Sequence, residues 1–273
     1  MSAPSILQKI FESKRLSVER TKSTIPTEDL MIQLNLVKLR EAGVVRAKLS
    51  EAVSRMDRVN IIAEFKRASP SKGVINDSVS PVERAKEYER AGAAAVSVLT
   101  EEEHFDGCSE DLASVRNNVS IPILRKDFIF DPYQIYESKV LGASALLLIA
   151  AMLEDDKIAE LLDLSRSFDL EVLIEVHNEK ELERAISLGA DLIGVNNRDL
   201  NTFEVSLDHS RRLIRHKPEG VLMISESGLS TPEQIVELRE LGFDGFLIGE
   251  ALMIGGENRI GRMIRMFSNY IDQ

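Results

Sequence analysis

The sequence predicts an α/β fold, a (β/α)8 (TIM) barrel with an N-terminal helical extension, and three observations carry the prediction. Four segments open on a small polar residue followed three positions later by Glu or Gln, which is how a helix start satisfies its orphan amides: Ser80 with Glu83, Asp131 with Gln134, Asn178 with Glu181 and Thr231 with Gln234. Pro81, Pro132 and Pro232 take the first helical position in three of them, where a missing N–H costs no hydrogen bond. Each of these helices closes on a glycine able to adopt the left-handed conformation, Gly92, Gly142, Gly189 or Gly242, and an apolar strand follows at once. These glycines recur at intervals of about 50 residues, room for two strand-helix units each, so the repeat fills an eight-strand barrel.

Taken in order, residues 1–59 form the extension and the whole of 1–273 one barrel domain. Within Ser5–Lys22 the apolar positions Ile6, Leu7, Ile10, Phe11 and Val18 have the spacing of an amphipathic helix, and a second helical pattern runs over Glu28–Ala52. The first strand lies in the first half of Asn60–Gly73, where a short Ile-rich run bounded by Gly and Pro fits a buried parallel strand. The remaining strands are expected at Ala93–Leu99, Ile121–Leu124, Ala143–Ile149, Glu171–Val176, Ala190–Val195, Val221–Ser225 and Phe243–Ile248. A doubly wound open sheet would want a Gly-rich dinucleotide fingerprint after an early strand, and the sequence has none.

The 273 residues carry a formal net charge of -11, which argues against a nucleic-acid surface and leaves room for a small anionic substrate where basic groups gather locally. No apolar run is long enough for a membrane span, and the N-terminus lacks the basic-then-apolar pattern of a leader, so a cytoplasmic protein without a membrane partner is expected. Cys108 is the only cysteine, which excludes an intrachain disulfide and a Cys-based zinc site. His104, His177, His209 and His216 lack metal-ligand spacing and read as surface or loop histidines.

Barrel active sites sit at the C-terminal ends of the strands, so candidate residues follow from position. Strand one offers Glu64 and Lys66, which alternation places on one face; alone, they read equally as a structural ion pair or as part of a site. Later strands end in Lys126, Glu175, Asn196 with Arg198, Ser225-Glu-Ser-Gly228, and Gly249-Glu250. Two lysines and several carboxylates converging on one mouth favour acid-base chemistry for Lys66, Lys126 and Glu175, whereas Glu101 and Asp127 read as solvated loop ends. Ser227, Gly228, Gly249 and Glu250 fit the phosphate site that follows the last two strands of many barrels, with Ser69 and Lys72 as possible additional contacts.

The motifs Ala63-Glu-Phe-Lys-Arg-Ala-Ser-Pro-Ser71, Leu124-Arg-Lys-Asp-Phe128, Leu173-Ile-Glu-Val-His177, Gly194-Val-Asn-Asn-Arg-Asp-Leu200 and Ser225-Glu-Ser-Gly228 together resemble the indole-3-glycerol-phosphate synthase family, as does Ile6-Leu-Gln-Lys-Ile10. The resemblance implies ring closure of 1-(2-carboxyphenylamino)-1-deoxyribulose 5-phosphate to indole-3-glycerol phosphate, with loss of CO2 and water, in tryptophan biosynthesis. It implies no metal and no organic cofactor. It assigns Lys126 as general acid toward the substrate ketone, Lys66 to the substrate carboxylate and to dehydration, and Glu175 to acid-base work. The resemblance also implies that Glu64, Glu226 and Asn196 bind and orient the substrate, and Ser69, Ser227, Gly228, Gly249 and the position of Glu250 match the family's phosphate site. Phe128, Leu147 and Ile149 match the aromatic pocket, although core packing accounts equally well for Leu147 and Ile149.

Glu250 stands where many relatives carry Ser or Thr, so its backbone amide is expected to face the phosphate. Cys108 stands where Ser is common and is given no catalytic role. Two neighbouring ammonium groups are expected to depress each other's pKa. The competing reading is a Schiff-base aldolase with Lys126 as nucleophile; a noncatalytic binding barrel is disfavoured by the concentration of acid-base residues. A monomer or weak homo-oligomer is expected.

Overall fold

The structure is a computed structural model that describes residues 6–40, 43, 47–199, 202–254 and 264–265. The described elements run α1 (Ile6–Thr24), α2 (Thr27–Arg40), α3 (Leu49–Val53), β1 (Ile61–Phe65), β2 (Ala68–Ser69), β3 (Gly73–Val74), α4 (Pro81–Arg90), β4 (Ala95–Leu99), α5 (Ser109–Arg116), β5 (Ile123–Lys126) and α6 (Pro132–Leu141). They continue with β6 (Ala145–Ile149), α7 (Asp155–Ser167), β7 (Glu171–Val176), α8 (Glu179–Ser187), β8 (Leu192–Asn196), α9 (Asp208–Leu213), β9 (Leu222–Glu226), α10 (Pro232–Glu240), β10 (Gly245–Ile248) and α11 (Glu250–Met253). Strands β1 and β4 through β10 pair in parallel and close into a barrel, with β1 joining β4 on one side and β10 on the other. The two-residue strands β2 and β3 form a small antiparallel hairpin in the loop after β1. The expected barrel with preceding helices is therefore the observed one.

Strand alternation divides the core in two. On β1, Ile61, Ala63 and Phe65 face the surrounding helices, while Ile62 joins Ala95, Leu124, Ala145, Leu173, Leu192, Ile224 and Leu247 inside the barrel. The inside is plugged from below by Leu49 and Val53 of α3 and covered from above by Ile10 of α1. Glu171, at the N-terminal end of β7, anchors the plug by accepting hydrogen bonds from the amides of Leu49 and Ser50 and from the Ser50 hydroxyl. A carboxylate there also complements the positive end of the helix.

The helix signals form as read. Asp131 and Thr231 make full reciprocal capping boxes, and Ser80 and Asn178 accept from the amides of Glu83 and Glu181. Gly92, Gly142, Gly189 and Gly242 all take positive φ. The residue after each glycine still belongs to the helix terminus: Ala93, Ala143, Ala190 and Phe243 donate to the carbonyls of Tyr88, Ser138, Ala185 and Leu238, the long bond of a left-handed cap. That cap is why these four strands begin two residues later than the apolar run suggests.

One element differs more. The continuous helical pattern expected over Glu28–Ala52 is two helices, α2 and α3, because Gly43 takes φ 82° and the chain leaves the helix before Leu49. Positions 41–42 and 44–46 of that span lie outside the described residues, as do Ser5 and Leu200 of the stretches read above.

Candidate active site

A cavity of about 810 Å³ opens at the C-terminal ends of the barrel strands. Lys66, Lys126, Glu64, Glu175, Asn196, Ser69, Phe128, Arg198, Glu226, Ser227, Gly228, Gly249 and Glu250, all the residues expected from the sequence, line it. Strand register explains the convergence. Inward positions on β1, β5, β7, β8 and β9 carry Glu64, Lys126, Glu175, Asn196 and Glu226 in the layer above the apolar filling, so the barrel that buries Ile62 and Leu173 raises charges two residues further on.

Lys126 is the centre of the charged layer. Its Nζ donates to Glu175 Oε2 at 2.7 Å and to Glu226 Oε2 at 2.6 Å. Burial alone would push the Lys126 pKa down, but Glu175, Glu226 and Glu64 outweigh it and hold the ammonium well above the ordinary lysine value. The expectation that two ammonium groups would depress each other is thus corrected for Lys126: the carboxylates, not Lys66, decide its charge. Lys66 is paired in turn with Glu64, Nζ to Oε1 at 2.7 Å, so the two residues do share a face.

The carboxylates differ from one another. Burial raises the Glu175 pKa, yet Lys126 and His177 bring it far below the usual carboxylate range. Glu226 is pushed up to about 7 by burial and by the neighbouring charges of Glu175 and Glu64, which Lys126 only partly offsets. Its Oε1 has no hydrogen-bond partner among the described residues.

Two glycines make room for this layer. A β-carbon at Gly249 would lie 2.4 Å from Glu64 Oε1 and 3.0 Å from Lys66 Nζ, and one at Gly194 would collide with the Glu226 carboxylate. Gly249 therefore has a steric duty toward Glu64 besides any contact with an anion.

The cavity has a polar end and an apolar wall. At the polar end Ser227 and Gly228 both take positive φ, 65° and 77°, a turn braced by buried Asn197, whose side-chain amide donates to the Ser225 hydroxyl and to the carbonyls of Glu226 and Ser227. Arg198 donates its amide to Asn196 Oδ1. The Glu250 carboxylate faces two cations, Lys72 Nζ at 3.5 Å and Arg198 Nη2 at 3.8 Å. The apolar wall is made by Ile6, Leu7 and Ile10 of α1 with Phe105, Phe128, Leu147 and Ile149; the Phe105 and Phe128 ring centres are 6.0 Å apart. Leu147 and Ile149 thus line the cavity and fill the barrel interior at once.

Two readings are corrected. Glu101 is not a solvated loop end: it is 1% exposed and accepts from the amides of Glu103, His104 and Phe105, folding the loop after β4. Asp127 is equally buried, accepting from Thr100 at 2.7 Å and from Arg125 at 3.0 Å, and pairing with Lys14 of α1 at 2.9 Å. Both turn inward because a loop carboxylate can satisfy the amides or cations of a packed neighbour better than it can float above it.

His177 is a loop histidine, as read, between β7 and α8, but its ring is largely buried. Only 13% of its side chain is exposed, its Nδ1 lies 3.1 Å from Glu181 Oε2, and its Nε2 lies 3.4 Å from Glu175 Oε1. The signal for it was present in the sequence: Glu181, the third helical position after Asn178, is an acidic group set to reach back over the helix start. Among the described residues no three His, Cys, Asp or Glu side chains are grouped to hold a metal ion.

Comparison with known proteins bears on this geometry. The family model for indole-3-glycerol phosphate synthase matches residues 7–263. An indole-3-glycerol phosphate synthase from Lachnoclostridium phytofermentans is 43% identical over 95% of this chain and 97% of its own. One from Carboxydothermus hydrogenoformans is 45% identical over 90% and 94%. Among solved structures, the N-acetylmannosamine-6-phosphate 2-epimerase from Clostridium perfringens shares the fold at TM-score 0.57 and 16% identity, covering 74% of this chain and 90% of that one. With a matching model that spans nearly the whole chain and relatives of this similarity, the chain belongs to the indole-3-glycerol phosphate synthase family.

Proposed function

We propose that the barrel mouth closes 1-(2-carboxyphenylamino)-1-deoxyribulose 5-phosphate to indole-3-glycerol phosphate with Lys126 as the general acid. The observation that carries this is the seat of Lys126 between Glu175 and Glu226, which keeps it an ammonium. Attack of the aromatic carbon on the ketone puts negative charge on the ketone oxygen, and a proton donor beside that oxygen lowers the barrier by an amount typically worth about 10² to 10⁴ in rate. The carboxylate then leaves as CO2, returning its bonding electrons to the ring, and the new hydroxyl takes a proton and leaves as water while the neighbouring ring CH2 gives up a proton, its C–H electrons forming the double bond of the indole.

Lys66 meets the substrate carboxylate and serves the dehydration, with Glu64 holding its ammonium in place. Glu175, held anionic, is the base of the pair. Asn196 and Glu226 orient the substrate, while Phe128 and the α1 side chains receive the aromatic ring. Ser69, Ser227, Gly228, Gly249, Arg198 and the amide of Glu250 hold the phosphate end.

A Schiff-base aldolase reading needs a neutral Lys126 amine, and the surrounding carboxylates oppose that. Since every one of these residues comes from one chain, a monomer or weak homo-oligomer suffices. The test is to supply the synthetic substrate and follow indole fluorescence; no indole product from purified protein would end the proposal.

A further inference from the structure

Outside the groups that line the cavity, His177 is an ionisable side chain in contact with the charged layer. His177 follows β7 directly; its Nδ1 is hydrogen-bonded to Glu181 of α8 on the outside, and its buried Nε2, which has no hydrogen-bond partner among the described residues, lies at ion-pair distance, 3.4 Å, from Glu175 on the inside. Its position is tightly set. Glu181 Oε2 accepts both from the His177 amide at 2.8 Å and from the ring Nδ1, Asn178 donates to Glu181 Oε1 at 2.6 Å, and the His177 carbonyl lies 3.2 Å from His209 Nδ1 of α9. The helix cap that begins α8 therefore also fixes the imidazole. His177 does not line the cavity, so it acts on substrate only through another residue.

We propose that His177 is a positioning residue of the ring-closure reaction, whose ring, bridged between Glu175 and Glu181, keeps the Glu175 carboxylate anionic and directed at Lys126. The inference rests on the roles assigned above to Lys126 and Glu175. Charge balance supports it. The inner layer holds three carboxylates, Glu64, Glu175 and Glu226, against the ammonium groups of Lys66 and Lys126. A third cation on His177, shared with Glu181 on its outer side, offsets part of the remaining negative charge, and without it proton uptake by a carboxylate of the layer is favoured further. Burial would lower the His177 pKa, but its two carboxylate partners push it up to about 10, so the ring is an imidazolium at neutral pH. The charged groups facing Glu175 and His177 are then Lys126 from β5, Glu226 from β9, Glu64 from β1 and Glu181 from α8, with His209 of α9 against the backbone.

The experiment is the pH dependence of kcat and KM for the wild type, His177→Gln and Glu181→Gln. Loss of the cation raises the pKa of the cluster, so in His177→Gln the acid limb of the kcat profile is expected to move up by about one pH unit or more. Turnover at neutral pH should fall roughly tenfold or more because the Glu175 carboxylate is no longer directed at Lys126, with KM within about twofold because nothing that touches substrate has been removed. Glu181→Gln removes an anion and leaves the cation, so it should move the same limb in the opposite direction by less, and it decides the matter if His177→Gln does not fold. Added imidazole should restore turnover to His177→Ala. An unmoved acid limb in the folded variants, or a loss seen only in KM or melting temperature, would overturn the positioning role. If Lys126→Met turned over normally, the underlying assignment would be at fault instead; an inactive Lys126→Met beside an unaltered His177→Gln would sink the positioning role alone.

Discussion

Gly194 leaves the space that Glu226 occupies: a β-carbon at 194 would lie 1.9 Å from Glu226 Oε1 and 3.1 Å from its Cδ. Position 194 lies on β8 and Glu226 ends β9, so the missing side chain on one strand is what lets the next strand turn a carboxylate inward to Lys126. Gly194→Ala is expected to cost about 1–3 kcal/mol of stability, the usual penalty for overpacking a filled interior, and to lower kcat more than tenfold by displacing Glu226. Melting temperature and steady-state kinetics check this. A folded variant with wild-type kcat would show that Glu226 need not hold the observed position.

Glu250 places a carboxylate between Lys72 and Arg198 at the end of the cavity given to the phosphate. A phosphate arriving there must displace or share those cations. Glu250→Ser is therefore expected to lower KM for the phosphorylated substrate by roughly threefold to tenfold at low salt, with kcat little changed, and the difference should shrink as salt screens the charges. A raised KM would mean that the carboxylate helps binding.

Lys14 joins α1 to the loop that follows β5. Its Nζ lies 2.9 Å from Asp127, the residue after Lys126, and 3.0 Å from Glu102, with only 3% of its side chain exposed. Lys14→Met should cost about 3 kcal/mol, since removing one partner leaves buried Asp127 with less compensation. It should also raise KM, because α1 carries Ile6, Leu7 and Ile10 into the cavity wall. Denaturant unfolding and substrate titration read the two effects separately. An unchanged KM with lost stability would reduce α1 to packing.

Stability should respond to pH through His177. A group whose folded pKa is raised contributes stability that is complete below its unfolded value and is lost as pH rises through the folded one. For His177 the window runs from the ordinary 6.5 to about 10. The wild-type melting temperature is expected to fall across that window by more than that of His177→Asn. Parallel curves would place the imidazole outside the charge balance.

How much of this was readable in the sequence depended on whether a residue's duty is local. Thr231 with Gln234 and Asp131 with Gln134 specify helix starts within four residues, and Gly92 or Gly242 the stops, so the barrel followed from local chemistry repeated along the chain. Cavity-lining residues such as Lys126 and Glu226 are legible because a parallel barrel brings all C-terminal strand ends to one side. Partners were less so. Lys14 with Asp127 and Gly194 with Glu226 are contacts whose meaning lies in register and depth, and no spacing announces them. The charge of Lys126 was misread for the same reason: it depends on Glu175 and Glu226 lying within 2.7 Å, which sequence order does not disclose.

The role of Lys126 is tested most directly by adding borohydride to the wild-type protein together with substrate, alongside turnover of Lys126→Met. A general acid forms no covalent bond, so the expected result is no adduct on the Lys126 peptide by mass spectrometry, steady appearance of indole fluorescence in the wild type, and an inactive Lys126→Met that still binds the phosphorylated substrate. A reduced adduct of substrate mass on the peptide containing Lys126 would contradict the mechanism and make that amine a nucleophile.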